Sequence, residues 1–382
     1  MNNNGLVTQL RKAFQLIAKG LIKKQDALEA NPKQYPYVPC LNHGINMFLA
    51  LTYDVGQAGA EIFQAADEHA FFERYLCRPV QEWFDGWNPE VLTKLSIREQ
   101  EFYSRDAFAF LRDDNYYCPS DACCEFLYAQ EPNVIEGTDE NTLYENLKQL
   151  SPEDYCSLRQ YIINNPVITI TERGRLLSRY SDNSVAKNAI FHAYERFEER
   201  AYRCPDCGWT MKKIGDRLIC HSQHCKTSKK PLEACEIWDG ENEELYRLKK
   251  GIMRYIVAPG QPELEVARFC QKRKLDFSLW PEKDKYDVEI RFPDGTVWEI
   301  DAKTYRNPWF LKRHFESRGG FPTGTYQQGF VVIPDELKRK ESKYTQIVNK
   351  ALKTPEDNVR CVTMRTLKIE INRKAASDEE EE

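Results

Sequence analysis

Two segments of strict polar–apolar alternation flank a Pro-Asp-Gly sequence at 293–295, which predicts a β-hairpin. If the turn is centred on Asp294, residues pair when their numbers sum to about 588, so Asp287 lies directly opposite Asp301. Two carboxylates side by side repel each other unless a cation lies between them. A hard divalent cation, Mg²⁺ by default, is therefore the expected occupant of this site.

The two faces of this hairpin differ sharply in polarity. The apolar face carries Val288, Ile290, Phe292, Trp298, Ile300 and Ala302. The charged face carries Asp287, Glu289, Arg291, Glu299, Asp301 and Lys303. Alternation on both arms favours this register, and it places the amine of Lys303 beside the paired carboxylates. The alternative is a solvated face held by ordinary salt bridges.

A third carboxylate could come from the helix that precedes the hairpin. Glu263 lies near the start of that helix, and Glu265 is the alternative. Asp294, although it follows a proline, is expected to be only the turn residue. Seven strand residues would separate it from Asp301 by roughly 23 Å, too far for a shared metal ion.

A cysteine cluster forms the second candidate site. Cys204 and Cys207 flank Pro-Asp and precede a glycine, and Cys220 and Cys225 follow after a spacer of basic and turn residues. Two thiolate pairs at this spacing predict a tetrahedral structural Zn²⁺ site, in which His224 could replace Cys225. By contrast, the unpaired spacing of three other cysteines predicts core positions: Cys118, Cys123 and Cys124.

The elements around these sites indicate an α+β multidomain protein. Residues 1–200 are mostly helical in pattern, with an amphipathic helix at the N-terminus and either a helix-turn-helix or a plain helical hairpin at 151–180. A zinc ribbon is expected at 201–240, and an acidic disordered tail at 375–382. Within 246–374 the predicted αβββαβ order is helix 262–274, strands 286–292, 297–303 and 329–333, helix 341–352 and strand 359–364.

Composition restricts the class of protein. Residues 246–374 contain 27 Lys and Arg against 17 Asp and Glu, although the whole chain has a net charge of −5. A basic C-terminal module favours a nucleic-acid partner. No segment resembles a membrane span or a signal peptide, so the expected location is the cytoplasm, without membrane contact.

The hairpin and the element order together resemble the PD-(D/E)XK, or restriction-endonuclease-like, superfamily. Asp287 matches the first acidic residue of that family, residues 301–303 match its (D/E)XK element, and Glu263 matches its frequent helix glutamate. The resemblance implies Mg²⁺ held by Asp287, Asp301, Glu263 and the Ala302 backbone carbonyl, with Lys303 orienting or activating the attacking water. Tyr286 replaces the proline of the motif.

The layout of helical region, ribbon and nuclease domain also resembles the restriction-endonuclease-like proteins encoded beside prokaryotic PIWI proteins of the pPIWI-RE group. The similar segments are 155–166, the ribbon from Cys204, and 258–263. This resemblance implies defence against foreign DNA together with a PIWI protein and a helicase.

The main hypothesis is therefore a Mg²⁺-dependent DNA endonuclease. The alternative is a zinc-ribbon DNA-binding or scaffold protein whose nuclease fold no longer cuts, and a third hypothesis is a helix-turn-helix regulator. DNA and RNA are not distinguished by the sequence, and a homodimer would supply the two active sites that a double-strand cut needs. Basic and aromatic residues at 305–314 either line a DNA groove or belong to an amphipathic helix.

Overall fold

The computed structural model describes residues 3–30, 36–57, 65–100, 102–103, 108–111, 119–130, 139–214, 217–220, 225, 236–322, 324–352 and 358–381. Three residues named above, Cys118, His221 and His224, lie outside the described residues. No helix among the described residues is both long enough and apolar enough to cross a bilayer.

The α-helices are α1 (Asn3–Ala30), α2 (Pro39–Asp54), α3 (Glu68–Phe71), α4 (Pro89–Lys94), α5 (Asp121–Gln130), α6 (Asp139–Lys148), α7 (Pro152–Asn164), α8 (Ile170–Arg179), α9 (Ser184–Ala193), α10 (Lys250–Ile252), α11 (Ala258–Lys272), α12 (Pro308–Arg318), α13 (Asp335–Lys340), α14 (Tyr344–Leu352) and α15 (Met364–Glu381). Short 3₁₀ or π-helical turns cover Phe72–Leu76, Val80–Phe84, Ile97–Glu99 and Met253–Val257. The strands are β1 (Val167–Thr169), β2 (Tyr194–Phe197), β3 (Arg200–Arg203), β4 (Thr210–Ile214), β5 (Arg217–Cys220), β6 (Ile237–Asp239), β7 (Leu245–Leu248), β8 (Asp276–Leu279), β9 (Val288–Arg291), β10 (Val297–Ala302), β11 (Gln328–Ile333) and β12 (Val359–Thr363).

The chain divides into two compact units. One contains Met1–Val134, Tyr305–Gly320 and Glu336–Lys353, and the other contains Ile135–Thr304, Phe321–Asp335 and Thr354–Glu382. These units divide the chain differently from the segments expected from the sequence, because α12 and α14 group with the N-terminal helices.

Close packing of α1 on α2 organises the first unit. A Cβ on Gly20 would lie 2.5 Å from the Cβ of Leu41, so glycine is needed where the two helices meet. The amphipathic N-terminal helix is confirmed, because its apolar stripe is buried around Phe14. The Phe14 ring lies 5.8 Å from that of Phe48 and 5.5 Å from that of Trp83, so aromatic contacts dominate this core.

A small antiparallel sheet in the second unit has the order β1-β7-β2 and packs with α6 to α9. The two helices predicted within 151–180 are present as α7 and α8, and the short strand β1, which was not predicted, lies between them. Residues 167–169 of β1 form a hydrogen-bonded ladder with β7. The local sequence pattern does not predict this pairing.

The zinc-ribbon segment forms a four-stranded antiparallel sheet of order β5-β4-β3-β6. It is inserted between β2 and β7, which pair with each other. The inserted sheet therefore begins and ends at two neighbouring strands.

A five-stranded sheet of order β12-β11-β10-β9-β8 positions the candidate active site. Strands β8, β9 and β10 are antiparallel, whereas β10, β11 and β12 are parallel. The predicted strands correspond to β9 to β12, but β8 was missed because it is a four-residue, half-buried edge strand. The run αβββαβ is therefore α11, β8, β9, β10, α12 and β11, one strand earlier than predicted.

Two further boundaries differ from the sequence prediction. The helix expected at 341–352 is shorter, and α13 precedes it. The acidic residues expected to form a disordered tail instead continue α15 to Glu381. Alanine and glutamate are good helix formers, so the acidic composition does not end this helix.

Candidate active site

The register of the β9–β10 hairpin matches the prediction. Trp298 pairs with Ile290, and Ile300 pairs with Val288. The Asp287 backbone N–H, one residue before β9, donates to the Ile300 carbonyl at 3.0 Å. All six residues of the predicted apolar face are buried, so the carboxylates of Asp287 and Asp301 lie on the opposite face.

Asp294 is the turn residue, as expected. Its carboxylate accepts a hydrogen bond from the Thr296 backbone N–H at 2.8 Å and pairs with Lys374. Hydrogen bonds from Lys374 and Thr296 lower the pKa of Asp294 to about 2. Gly295 has a φ of +85°, a conformation that glycine adopts without strain. Asp294 thus lies at the far end of the hairpin from Asp301.

Asp287, Asp301 and Lys303 come together at the open end of the hairpin. The Lys303 Nζ contacts Asp301 Oδ1 directly and lies 3.8 Å from Asp287 Oδ2. The Ala302 backbone N–H donates to Asp287 Oδ2 at 2.5 Å. The three charged side chains are only 8%, 12% and 20% exposed, respectively. One ammonium group therefore bridges two largely buried carboxylates.

The electrostatics of this cluster follow from burial and crowding of like charges. Burial raises the pKa of Asp287 well above its ordinary value, and the Glu263 carboxylate raises it further, while Lys303 acts in the opposite sense. Burial would lower the pKa of Lys303, but Asp301 and Asp287 raise it above its ordinary value. The site therefore favours any cation that can share the carboxylates.

Glu263 on α11 is buried beside this cluster. Its Oε2 accepts hydrogen bonds from Trp280 Nε1 at 2.5 Å and from Arg159 Nη2 at 3.1 Å. Burial raises the pKa of Glu263 to about 7, while Arg159 favours the charged form. Glu265, the alternative candidate, is half exposed and pairs with Lys368, so it does not share this environment.

Sequence reasoning missed Arg159 and Asp284. The guanidinium of Arg159 donates to Asp284 Oδ1 at 2.6 Å and to the Tyr155 hydroxyl at 2.6 Å, and it lies 4.4 Å from the centre of the Trp280 ring. A signal existed, because Arg159 is a charged residue on the apolar stripe of α7, four residues after Tyr155.

The loop between β8 and β9 carries part of this network. Four non-glycine residues in it have positive φ: Trp280, Glu282, Lys283 and Asp284. Left-handed backbone disfavours L side chains and persists only where surrounding contacts fix it. The hydrogen bonds of Trp280 and Asp284 to Glu263 and Arg159 supply such contacts.

The donor chemistry of the cluster suits Mg²⁺, since carboxylate and backbone carbonyl oxygens are the hard ligands this ion takes. Asp287, Asp301, Glu263 and the Ala302 carbonyl are the residues that would hold it. Among the described residues, however, only the four cysteines form a group of three or more Cys, His, Asp or Glu ligand atoms within 4.8 Å of one another. The Lys303 ammonium stands among the acidic side chains in this structure.

The ligand atoms of Cys204, Cys207, Cys220 and Cys225 all lie within 4.8 Å of one another, so these thiols could hold one metal ion. Cys207 Sγ lies 3.6 Å from Cys220 Sγ, close to the roughly 3.8 Å edge of a tetrahedral Zn–S site and far from a disulfide bond. Gly208, with a φ of +76°, permits the turn after Cys207. Cys225 thus lies with the other three thiols, whereas its alternative His224 is outside the described residues.

Two other sequence expectations concern residues outside these clusters. Cys123 and Cys124 are buried, as expected for core cysteines. The basic and aromatic segment 305–314 lies largely on α12, which begins after the cap residue Asn307 and buries Phe310 among aromatic rings of the first unit. The segment is therefore helical for most of its length, and contact of its basic residues with DNA stays a prediction.

A family model described as "REase associating with pPIWI_RE" matches residues 260–379. This match confirms the resemblance inferred from the sequence over these residues. It includes Glu263, Asp287, Asp301 and Lys303, and it excludes Arg159 and the four cysteines. The comparisons with curated proteins and with solved structures find no match.

Proposed function

We propose that this chain, with its REase-type segment at 260–379, is a metal-dependent DNA endonuclease that acts in prokaryotic defence beside a pPIWI_RE protein. The observation that carries the proposal is the convergence of Asp287, Asp301 and Lys303 on the face of one hairpin. Burial of two carboxylates and an ammonium group costs stability. Such clusters are typical of sites that bind a cation or carry out a reaction.

In the proposed reaction each side chain has a separate task. Asp287 and Asp301, with the Ala302 backbone carbonyl and Glu263, would hold Mg²⁺, and this ion would supply a lowered pKa of water and stabilisation of charge on the scissile phosphate. Lys303 keeps its proton because both carboxylates raise its pKa. It therefore orients the attacking water or phosphate oxygen by donating hydrogen bonds.

Neighbouring residues keep this machinery in place. The Ala302 N–H fixes one oxygen of Asp287, and Arg159 and Trp280 fix Glu263. Because these donors are buried, the carboxylates are held before substrate arrives.

The test is cleavage of supercoiled plasmid and duplex DNA by the purified full chain with Mg²⁺, alone and with the pPIWI_RE protein encoded beside it. We expect Asp301→Ala and Lys303→Ala to lose roughly a hundredfold or more in rate, because each group acts directly on the reacting atoms. The matched control is Asp294→Ala, an aspartate of the same hairpin that lies at the turn, and it should cut normally.

A second candidate function is a zinc-ribbon DNA-binding or scaffold protein with an inactive nuclease fold. The complete acidic pair and lysine argue against it. Absence of Mg²⁺-dependent cleavage in the wild type, with and without the partner, would favour it. Equal cutting by wild type and Asp301→Ala would instead point to a contaminating nuclease. A helicase partner and a homodimer remain proposals, tested by co-purification and by light scattering.

A further inference from the structure

The second unit contains a fold element that precedes the segment matched by the family model. Along the chain it runs α7, β1, α8, α9, β2 and β7, and the strands pair in the order β1-β7-β2. Val167 pairs with Arg247, and Tyr194 pairs with Leu248, both antiparallel. Three helices on a three-stranded sheet with this order form a winged helix-turn-helix, in which the last helix is the one that enters DNA.

The helix pair α8–α9 has well-defined ends. Thr169 and Glu172 form a reciprocal capping box at the start of α8. The side chain of Asn183 caps α9 by accepting a hydrogen bond from the Ala186 N–H at 3.0 Å. The inner face of α9 is apolar and fully buried at Ala186, Ala189 and Ile190. The buried inner face anchors α9 in the core of the second unit, and the opposite face of α9 points away from that core.

The outer face of α9 suits the edges of bases and the phosphate backbone. It carries Ser184, Lys187, Asn188, Phe191 and His192. No Asp or Glu occurs anywhere in α9. Phe191 is 49% exposed, and Lys187 spends one of its three hydrogen-bond donors on the Ser181 carbonyl, which leaves two. An exposed aromatic ring among uncharged and basic side chains is typical of a nucleic-acid surface.

Helix α8 adds positive charge beside this face. Arg173 stacks on Phe191 and on Tyr246, with its guanidinium 4.8 Å and 4.2 Å from the ring centres. Arg175 and Arg179 are exposed on the same helix. The acidic residue of α8, Glu172, is engaged in the capping box. The α8–α9 pair therefore carries more basic than acidic residues, and its positive charge complements a phosphate backbone.

The ribbon occupies the position of the wing. In a winged helix the wing joins the last two strands, and here the four-cysteine sheet joins β2 to β7. The described strands of this sheet, β3 to β6, therefore lie at the place of a wing.

We infer that α8, α9 and the inserted ribbon form a duplex DNA-binding module, with α9 in the major groove and the ribbon as its wing. DNA is favoured over RNA because the B-form major groove, about 12 Å wide, admits an α-helix, whereas the A-form groove is too narrow. The module uses none of the catalytic residues, so it goes beyond the proposed nuclease function and stands or fails separately from it.

The experiment measures binding of the full chain to a short fluorescent duplex of mixed sequence, in the Asp301→Ala background so that the duplex stays uncut. The variant is Lys187→Ala with Asn188→Ala, and its matched control is Lys94→Ala on α4. We expect the double variant to lose roughly tenfold or more in affinity and to reduce the slope of log K against log salt by about one. The control should bind as the parent does.

Several outcomes would overturn the inference. Unchanged affinity in the double variant, with the parent's circular dichroism and zinc content, excludes α9 from the DNA interface. Equal affinity for a duplex RNA of the same sequence excludes major-groove insertion. Normal DNA binding combined with loss of a co-expressed pPIWI_RE protein would make this face a protein interface. Lys187→Glu provides a second variant on the outer face of α9, and it should weaken binding more than Lys187→Ala.

Discussion

The guanidinium of Arg159 on α7 binds the carboxylate of Glu263 on α11 at 3.1 Å, although 104 residues separate them in the chain. The same guanidinium binds Asp284 in the strained loop before β9. One buried cation therefore connects a helix before the ribbon, a helix of the matched segment and the loop that leads into Asp287. The network makes the carboxylate cluster depend on a residue outside the segment that the family model matches.

Replacing Arg159 with alanine should therefore be severely destabilising. The change leaves the buried Glu263 and the partly buried Asp284 without their cationic partner, and removing one partner of a buried ion pair costs about 3–5 kcal/mol. The measurement is the free energy of unfolding from urea denaturation at neutral pH. Arg159→Lys should fall between wild type and Arg159→Ala, because an ammonium group cannot reproduce the fork of hydrogen bonds to Glu263, Asp284 and Tyr155.

The matched control for this prediction is Arg268→Ala. Arg268 also joins α11 to α7, through a 3.2 Å hydrogen bond to Asn164, but at an exposed position. Its loss should change the free energy of unfolding by less than about 0.5 kcal/mol. Equal losses in the two variants would contradict a special role for the buried network.

Neutralising Asp287 should stabilise the metal-free protein while it abolishes cleavage. Burial and the Glu263 carboxylate raise the pKa of Asp287, so its negative charge opposes folding at neutral pH. Asp287→Asn keeps an oxygen that can accept the Ala302 N–H, and we expect a higher melting temperature in a chelator-free, Mg²⁺-free buffer. Loss of activity with gain of stability is the usual sign of a functional site.

Asp294→Asn is the control, and its melting temperature should change in the opposite direction. Hydrogen bonds from Lys374 and Thr296 lower the pKa of Asp294, so its charge favours folding. This variant should melt slightly below the wild type and cut DNA normally. A lower melting temperature for both variants would show that the Asp287 charge is already compensated in the metal-free protein.

The hairpin was predictable because strand alternation has a period of two and a Pro-Asp-Gly turn fixes its centre. Register and polarity then place Asp287 and Asp301 together with no knowledge of the rest of the chain. The four-cysteine cluster was equally local, since its ligands fall within 22 residues. Glu263 needed the resemblance to a known family in addition to the pattern.

Other features depend on contacts that no local pattern encodes. Strand β8 is too short and too mixed in polarity to be seen alone, and it exists because its residues pair with Val288 to Arg291. The bond between Arg159 and Glu263 joins positions far apart in the chain. The sheet of β1, β7 and β2 likewise requires pairing between strands that the ribbon separates in the chain, as between Glu195 and Arg247.

A pH dependence of stability should originate at Glu299. It pairs with Glu289 across the hairpin, and burial followed by the hydrogen bond to Glu289 raises the pKa of Glu299 to about 9. The pKa of glutamate in the unfolded chain is about 4.5. Between about pH 4.5 and pH 9 the folded protein therefore binds a proton at Glu299 that the unfolded chain has lost. This contribution to stability is complete below about pH 4.5 and is lost as pH rises towards 9.

Glu299→Gln should remove this dependence, because the amide resembles the protonated acid at every pH. Relative to wild type, the variant should gain about 1 kcal/mol per pH unit between pH 5 and 8 in the free energy of unfolding. Glu336→Gln, the same substitution at an exposed position on α13, is the comparison. A difference between Glu299→Gln and wild type that stays constant over this range would contradict the assigned titration.

Zinc should be needed for the ribbon to fold but not for the chemistry of cleavage. The described side chains of the ribbon include a very small core, made of Met211, Leu218 and the cysteines themselves, so metal binding must supply most of the folding free energy. Elemental analysis of the purified chain should find about one zinc per molecule, and Cys204→Ser with Cys207→Ser should lose it. Cys77→Ser, which removes an exposed free thiol elsewhere, should retain it.

The zinc-free double variant should keep part of its Mg²⁺-dependent cleavage, because four thiolates leave no open coordination position for catalysis at zinc. It should bind duplex DNA more weakly than the wild type. Full zinc content in the double variant would instead place the metal on other ligands.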